Sequence, residues 1–158
     1  MGDVALVSFN AVDPDSFQFV TLTSLKEGTV LYFSDNGWST SAGPGFRTNE
    51  GVMSYTVAEG GLPAGKVISW EGAVDGEWDK FPRALTLAQT KDQLFVTSTL
   101  ADSVATTEDL VYAVHWGGSG AWDSEAGSSQ TSADPTVLTG ASPSPLALAF
   151  THLSANIP

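Results

Sequence analysis

The chain has 158 residues, and 18 acidic side chains against 6 basic ones give it a formal net charge of −12 at pH 7. Nucleic acids and anionic membrane surfaces are polyanions themselves, so this charge excludes electrostatic binding to either of them. The absence of cysteine excludes disulfides, thiolate metal ligands and a cysteine nucleophile. No apolar segment reaches the roughly 18 residues that a transmembrane helix needs, so we expect no membrane insertion.

Short apolar runs separated by turn sequences fill the first part of the chain. They predict three strands, at 4–9, 17–23 and 29–33. These strands are close enough in sequence to pair as antiparallel neighbours. The first is apolar almost throughout, which predicts burial on both faces. In the second, Phe17 and Phe19 are predicted to point inward, together with Val20 or Leu22.

The segment 33–51, called the central loop below, is the most distinctive part of the chain. It begins at the end of an apolar run, turns at an Asp-Asn-Gly sequence and continues as a polar, Gly-rich loop. A flexible linker would not need large aromatic or paired charged side chains, so we predict an ordered loop fixed by six residues: Asp35, Asn36, Trp38, Phe46, Arg47 and Glu50. For Arg47 and Glu50 we favour a partly buried salt bridge over recognition of a ligand carboxylate and hydroxyl.

The rest of the chain repeats the pattern of short strands and turn-rich connections. Further strands are predicted at 52–57, 66–70, 93–98, 110–116, 135–138 and 146–150. A short edge strand is expected around Leu85 and Leu87, one helical turn within 101–109, and a Gly/Ser-rich loop over most of 117–134. No window holds apolar residues at helical spacing for three turns, and turns recur about every eight to twelve residues. We therefore predict an all-β fold, an antiparallel β-sandwich with long Gly/Ser-rich loops in a single domain spanning 1–158.

Nothing in the sequence identifies an enzyme. His115 and His152 lie in strand-like runs without an adjacent Ser or Asp motif, and the Gly-x-Ser-x-Gly sequence of a nucleophile elbow is absent. The many carboxylates do not single out a pair at the separation that a glycosidase requires, because that separation is spatial. We therefore expect a non-enzymatic protein without catalytic residues.

Acidic side chains occur in four turn-like clusters, where carboxylates and backbone carbonyls are the ligands that Ca²⁺ prefers. The candidate metal ligands are Asp13, Asp15, Asp35, Asp75, Glu77, Asp79, Asp123 and Glu125. None of the clusters has the spacing of an EF-hand loop. Asp in turns commonly bonds its own backbone, and we favour that interpretation for each cluster. One weak calcium site among them stays open as an alternative, and no cofactor is required.

Five tryptophans divide into two groups by their predicted positions. Trp70 and Trp116 end predicted strands and are expected in the core. Trp38, Trp78 and Trp122 lie in predicted loops, where aromatic rings that stack on sugars are commonly found. The same three rings would also serve as hydrophobic plugs under long loops or as contacts with a neighbouring copy of the chain.

Six segments together resemble a known type of module. They lie at 15–22, 28–38, 45–51, 62–65, 92–95 and 131–135. The Asp-Asn-Gly-Trp and Gly-Phe-Arg-x-x-Glu-Gly sequences within them are the most specific. The segments are similar to a lamin-tail-like, immunoglobulin-like β-sandwich module of marine bacterial and cyanobacterial extracellular proteins and of some algal proteins. A more distant similarity links the chain to the fold of the proteins that form the sheath around diatom pyrenoids.

The resemblance implies a non-catalytic role, because it brings no established catalytic residues. It is compatible with a location outside the cell, at the cell surface or in an algal plastid structure. We expect a structural or interaction module that self-associates into sheets, shells or filaments, with another copy of the chain as its partner. The alternative is a calcium-assisted carbohydrate-binding or adhesion module of a secreted protein, with a polysaccharide as its partner.

Overall fold

The regular structure of the described chain consists of β-strands. A computed structural model describes residues 2–39, 45–72, 76–81, 83–100, 109–117, 122–123, 126, 128 and 131–133, and these residues contain no α-helix. The strands that they form are β1 (Val4–Asn10), β2 (Ser16–Thr21), β3 (Val30–Ser34), β4 (Trp38–Ser39), β5 (Gly45–Phe46), β6 (Val52–Thr56), β7 (Val67–Trp70), β8 (Trp78–Lys80), β9 (Lys91–Thr97) and β10 (Leu110–Gly117). A search of the described residues for a helix long and apolar enough to cross a membrane finds none.

Two antiparallel sheets pack against each other. One has three strands in the order β1-β2-β7, and the other has five strands in the order β10-β9-β3-β6-β8. Every pairing in both sheets is antiparallel. The short strands β4 and β5 form a separate hairpin within the central loop. This architecture confirms the prediction of an all-β, antiparallel sandwich.

The main core, defined here as the apolar cluster between the two sheets, follows from strand alternation. Phe17 and Phe19 of β2 are 1% and 0% exposed, as predicted. Their ring centroids lie 5.1 and 5.2 Å from that of Phe33 on the facing strand β3. Trp78 of β8 stands edge-on to the same two β2 rings, at 5.7 and 6.3 Å. Aromatic contacts therefore join the two sheets.

The first strand differs from its prediction in how it is buried. Val4 and Leu6 are buried, but Val7 is 50% exposed, so the prediction of burial on both faces is wrong. The reason is that the described residues cover the three-stranded sheet on one side only, and the register shift between Leu6 and Ser8 marks a β-bulge at Val7. Leu22, just beyond the end of β2, is 53% exposed and does not point inward.

Leu85 and Leu87 belong to the main core but not to a strand. They are 4% and 3% exposed within the segment 83–88, which has no regular strand pairing. The predicted edge strand is therefore wrong, although both leucines are buried. Three other predicted elements lie outside the described residues: nearly all of the helical turn within 101–109 and the strands at 135–138 and 146–150.

A second apolar group, called the outer cluster below, lies on the far side of the five-stranded sheet. In β9, Leu94 and Val96 face the main core, while Phe95 between them faces the outer cluster. The members of the outer cluster are Trp38, Phe46, Phe95, Leu110, Ala113, Trp122 and Ala133. Because the β4–β5 hairpin packs on this face, β9 and β10 are buried on both sides.

Candidate binding cleft at the central loop

The central loop is closed at its base by two buried polar side chains. Asp35 is 1% exposed, and its Oδ1 accepts a hydrogen bond from the Gly51 main-chain N–H at 2.7 Å. Asn36 is 2% exposed, and its Oδ1 accepts from the Glu50 main-chain N–H at 2.9 Å. Buried acceptors of this kind replace water for the N–H groups of a turn. Both side chains therefore join the start of the loop to its end.

The loop also packs against a distant part of the chain. The Trp38 main-chain N–H donates to Ser132 Oγ at 2.9 Å, and the Ala133 N–H donates back to the Trp38 carbonyl at 2.9 Å. At Gly37, an added Cβ would lie 2.1 Å from the Thr131 carbonyl oxygen. Glycine is therefore required at position 37 by the close approach of another backbone.

A cleft of about 170 Å³ opens between the central loop and the outer face of the five-stranded sheet. Val52, Phe81 and Leu100 supply its apolar walls, and Arg47 and Glu50 supply its charged edge. Phe81 is 39% exposed and Val52 is buried, so the apolar surface runs from the interior to the solvent. The cleft is a concave, mainly apolar site with a few polar groups, which is the usual composition of a small-ligand site.

The two charged residues of the cleft do not form the predicted salt bridge. Among the described side chains, no ion pair joins Arg47 to Glu50. Arg47 instead donates from Nη1 to the main-chain carbonyl of Ala126, 79 positions further along the chain. This partner is brought into place only by the fold, so local spacing did not indicate it. From the part of the chain that the structure describes, the Glu50 carboxylate accepts only a long 3.4 Å bond, from Asn49 Nδ2.

Two of the three tryptophans predicted to lie in loops are buried. Trp38 begins β4 and is 1% exposed, while Trp78 begins β8 and is 8% exposed. Neither offers a ring face to a sugar in this structure, and both fill apolar clusters instead. Trp122 is half-buried against the outer cluster. Trp70 and Trp116 are in the main core, as predicted.

Three carboxylates hold the segment 83–88 in place of a neighbouring strand. Consecutive main-chain N–H groups each donate to a different carboxylate: Thr86 to Asp35 at 3.0 Å, Leu87 to Asp15 at 2.7 Å and Ala88 to Asp92 at 2.7 Å. A backbone segment that buries two leucines must satisfy its N–H groups, and these carboxylates do so without a β-ladder. Asp15 and Asp35, predicted as turn formers or metal ligands, are both used in this way.

Burial changes the acidity of these carboxyl groups. Desolvation raises the pKa of Asp35 to about 7 and that of Asp92 to about 8, although main-chain hydrogen bonds oppose the change. The nearby negative charge of Asp35 raises the pKa of Asp92 further. Asp92 was not among the predicted site residues, yet it stands in phase with the inward-facing Leu94 and Val96 of β9. Its position two residues before the core residue Leu94 was the signal in the sequence that Asp92 would be buried.

The remaining candidate metal ligands do not converge. Within the described ranges, no group of three His, Cys, Asp or Glu side chains is placed to hold a metal ion. Asp75 and Glu125 lie outside the described residues. Asp123 Oδ1 pairs with Lys91 Nζ at 2.5 Å. The other candidates are exposed: Asp13, Glu77 and Asp79.

One histidine has an acidic neighbour that local sequence could not reveal. His115 on β10 is 4% exposed, and its Nε2 lies 4.0 Å from Asp123 Oδ2. Its ring centroid is 5.2 Å from that of Trp122, which covers it. The Asp123 main-chain N–H donates to the Ser132 carbonyl at 3.0 Å. His115 and Asp123 therefore lie where the segment that contains Trp122 packs on β10, and neither residue lines the cleft.

Comparison of the chain with protein families, with curated proteins and with solved structures gives no significant match.

Proposed function

We propose that the chain is a non-catalytic structural module that self-associates through the outer face of its three-stranded sheet. The observation that carries the proposal is the composition of this sheet: β1, β2 and β7 contain no charged residue in a protein of net charge −12. The outward side chains, called the uncharged face below, are Val7, Ser8, Asn10, Ser16, Gln18, Val20, Val67 and Ser69.

The polar groups of the uncharged face bond to one another. Ser8 Oγ donates to Gln18 Oε1 at 3.0 Å, and Gln18 Nε2 donates to Ser69 Oγ at 2.9 Å. Polar groups that are already paired lose less on desolvation than free ones. Beside this row, Val20 is in register with Val67, which is 47% exposed. The face therefore combines exposed apolar area with polar groups that tolerate burial.

The net charge favours contact between two copies of the chain through the uncharged face over contact through any charged part of the surface. Two molecules of charge −12 repel each other, and contact through charged surface would bring like charges together. Contact through the uncharged face keeps carboxylates out of the interface. The remaining long-range repulsion is screened by salt, with a Debye length of about 10 Å at 0.1 M. Association is therefore expected to strengthen as salt is added.

The size of the face predicts a weak contact. Three strands of about six residues measure roughly 20 by 14 Å. This footprint of roughly 300 Å² is well below the roughly 800 Å² per partner of a stable interface. We therefore expect association at high protein concentration rather than an obligate dimer. A contact of identical faces also closes at two copies, so sheets, shells or filaments would need a second contact.

The sheet edges are less suited to growth than the face. β8 has only three residues, and its Asp79 and Lys80 are exposed charges that discourage pairing with a neighbouring strand. At β7, the Trp78 indole N–H donates to the Ser69 carbonyl at 3.2 Å and occupies part of that edge. These features favour stacking of faces over addition of strands.

Sedimentation equilibrium across a protein and NaCl concentration series tests the proposal. Val67→Glu places a new carboxylate on the uncharged face, and we expect it to raise the dissociation constant at least about tenfold, equivalent to about 1.4 kcal/mol. Val12→Glu is the matched control, because Val12 is also 47% exposed but lies in the turn after β1. Negative-stain microscopy of the same samples, with and without millimolar Ca²⁺, detects larger assemblies.

Two results would refute the proposal. One is a strict monomer at every protein and salt concentration. The other is equal weakening by Val67→Glu and Val12→Glu, since that would reflect added charge rather than a specific face. The lamin-tail-like resemblance agrees with a structural role and stays a prediction. The carbohydrate alternative is less favoured, because Trp38 and Trp78, two of its three candidate sugar-stacking residues, are buried.

A further inference from the structure

The cleft at the central loop contains two opposite charges that are not used on each other. Arg47 and Glu50 both line it, and among the described side chains no ion pair joins them. Opposite charges in one partly enclosed space normally pair, because pairing offsets part of their desolvation. Here the guanidinium is drawn towards the Ala126 carbonyl instead.

Both charged groups keep capacity for a ligand. A guanidinium has five N–H donors, and the bond from Arg47 to Ala126 uses one of them. A carboxylate offers about four acceptor positions, and among the described residues the Glu50 carboxylate accepts one long bond, from Asn49. The cleft can therefore supply donors to an anionic group and acceptors to a cationic group at the same time.

The main chain beneath both residues is fixed. The Arg47 N–H donates to the Gly37 carbonyl at 2.9 Å, and the Glu50 N–H donates to Asn36 Oδ1 at 2.9 Å. Asn36 is itself held by a 3.0 Å bond from its Nδ2 to Ser34 Oγ. A binding group that is already positioned loses less entropy when a ligand arrives. The two charges are thus mounted on rigid backbone.

The apolar walls and the volume limit the ligand. Val52, Phe81 and Leu100 give room for one aliphatic group next to the charged edge. The cleft, at about 170 Å³, is smaller than the roughly 300 to 1,000 Å³ of pockets for drug-sized molecules. An oligosaccharide is therefore too large to be enclosed, whereas a molecule of amino-acid size is not.

We infer that the cleft binds a small aliphatic zwitterion, namely a free α-amino acid with a side chain of about the size of leucine. In this arrangement the ligand carboxylate accepts from the Arg47 guanidinium, and the ligand ammonium donates to the Glu50 carboxylate. The aliphatic side chain packs between Phe81 and Leu100. The site is on the opposite sheet from the uncharged face, so it does not depend on self-association.

Two-dimensional ¹H–¹⁵N NMR of the full chain, titrated with three probes, tests the inference. The probes are L-leucine, 4-methylpentanoate, which lacks the ammonium, and 3-methylbutylamine, which lacks the carboxylate. We expect leucine to shift the amide signals of Arg47, Glu50 and Gly51 in a saturable manner. Each analogue loses one charged pair and should bind about tenfold more weakly or worse.

The variant Glu50→Gln separates the effect of the Glu50 charge on binding from any effect on the fold. It keeps the size of the side chain and the main-chain bond to Asn36, and its amide spectrum reports whether the structure is retained. We expect it to weaken leucine binding about tenfold or more. Glu59→Gln makes the same change at an exposed turn position outside the cleft and should leave binding unchanged. Equal binding of 4-methylpentanoate and leucine, no saturable shift with leucine, or shifts confined to other residues would each overturn the inference.

Discussion

The main core and the outer cluster are built by different means. In the main core, side chains two residues apart on regular strands meet across the sandwich, as Phe17 and Phe19 meet Phe33. The outer cluster is closed by a few hydrogen bonds between remote segments, such as the one from the Trp38 N–H to Ser132 Oγ, 94 positions away. A core made by strand periodicity can be predicted from local sequence, whereas a core closed by remote loops cannot.

The largest difference between the two clusters should appear when an aromatic ring is removed from the main core. Phe33 is 0% exposed and contacts three other aromatic rings, so Phe33→Ala is expected to lower the free energy of unfolding by about 3–5 kcal/mol. Phe81→Ala, the same change at a residue that is 39% exposed, should lower it by less than half as much. Urea denaturation measures both. Similar losses would mean that the sandwich interior does not dominate stability.

The buried carboxylates should make stability depend on pH in an unusual direction. The ordinary pKa of 3.8 is raised to about 7 for Asp35 and about 8 for Asp92 by burial. Between about pH 4 and 8 the folded protein therefore binds more protons than the unfolded chain, so the free energy of unfolding falls as pH rises. The loss is of the order of a few kcal/mol for each of the two groups.

A series of urea midpoints from pH 4.5 to 8.5 measures this slope. Asp92→Asn removes one of the two titrating groups. It should flatten the dependence of stability on pH, most clearly near the upper end of the pH range. Asp79→Asn, at an exposed position on β8, is the control and should leave the slope unchanged. A stability that increased with pH over this range would contradict the assignment.

The closure of the outer cluster can be broken at one glycine. An added methyl group at Gly37 would meet the Thr131 carbonyl at 2.1 Å, so Gly37→Ala should lower the free energy of unfolding by about 1–3 kcal/mol. Gly45→Ala is the control, because nothing lies within 4 Å of the added Cβ there. Thermal unfolding of the two variants, followed by tryptophan fluorescence, measures the difference in their stability. Equal stability of both would show that residues 131–133 do not pack on the loop.

The smallest effect is expected from the ion pair at the edge of the outer cluster. Lys91 and Asp123 are about a quarter exposed, so their contact at 2.5 Å is partly screened by water. A double-mutant cycle with Lys91→Gln and Asp123→Asn is expected to give a coupling free energy below about 1 kcal/mol, decreasing with added salt. A larger coupling free energy that did not change with salt would contradict this expectation and indicate an ion pair that is shielded from water.

These contrasts also show what the sequence could reveal. The long apolar run at 110–116 predicted β10 almost to the residue, and the alternation of Phe17 and Phe19 predicted their burial. Trp78 was misassigned to a loop because β8 has only three residues, two of them charged. The role of Asp92 was missed because a carboxylate at a strand start resembles a turn residue.

The two proposed surfaces depend on relations that no local pattern contains. The uncharged face requires the register that places Gln18 between Ser8 and Ser69, which are 61 positions apart and lie on different strands. The cleft requires Arg47 to bond to the Ala126 carbonyl rather than to Glu50, although the spacing of Arg47 and Glu50 favoured a salt bridge. The local pattern singled out the loop that lines the cleft, but it predicted no cleft and gave the wrong partner for Arg47.

A concentration series of amide NMR spectra at high salt tests the proposed function most directly. If copies of the chain meet through the uncharged face, the signals that shift with protein concentration will belong to Val4–Asn10, Ser16–Thr21 and Val67–Trp70. Signals of the cleft and of β9 and β10 will stay in place. Shifts that mapped to the five-stranded sheet, or a spectrum that did not change with concentration, would contradict self-association through this face.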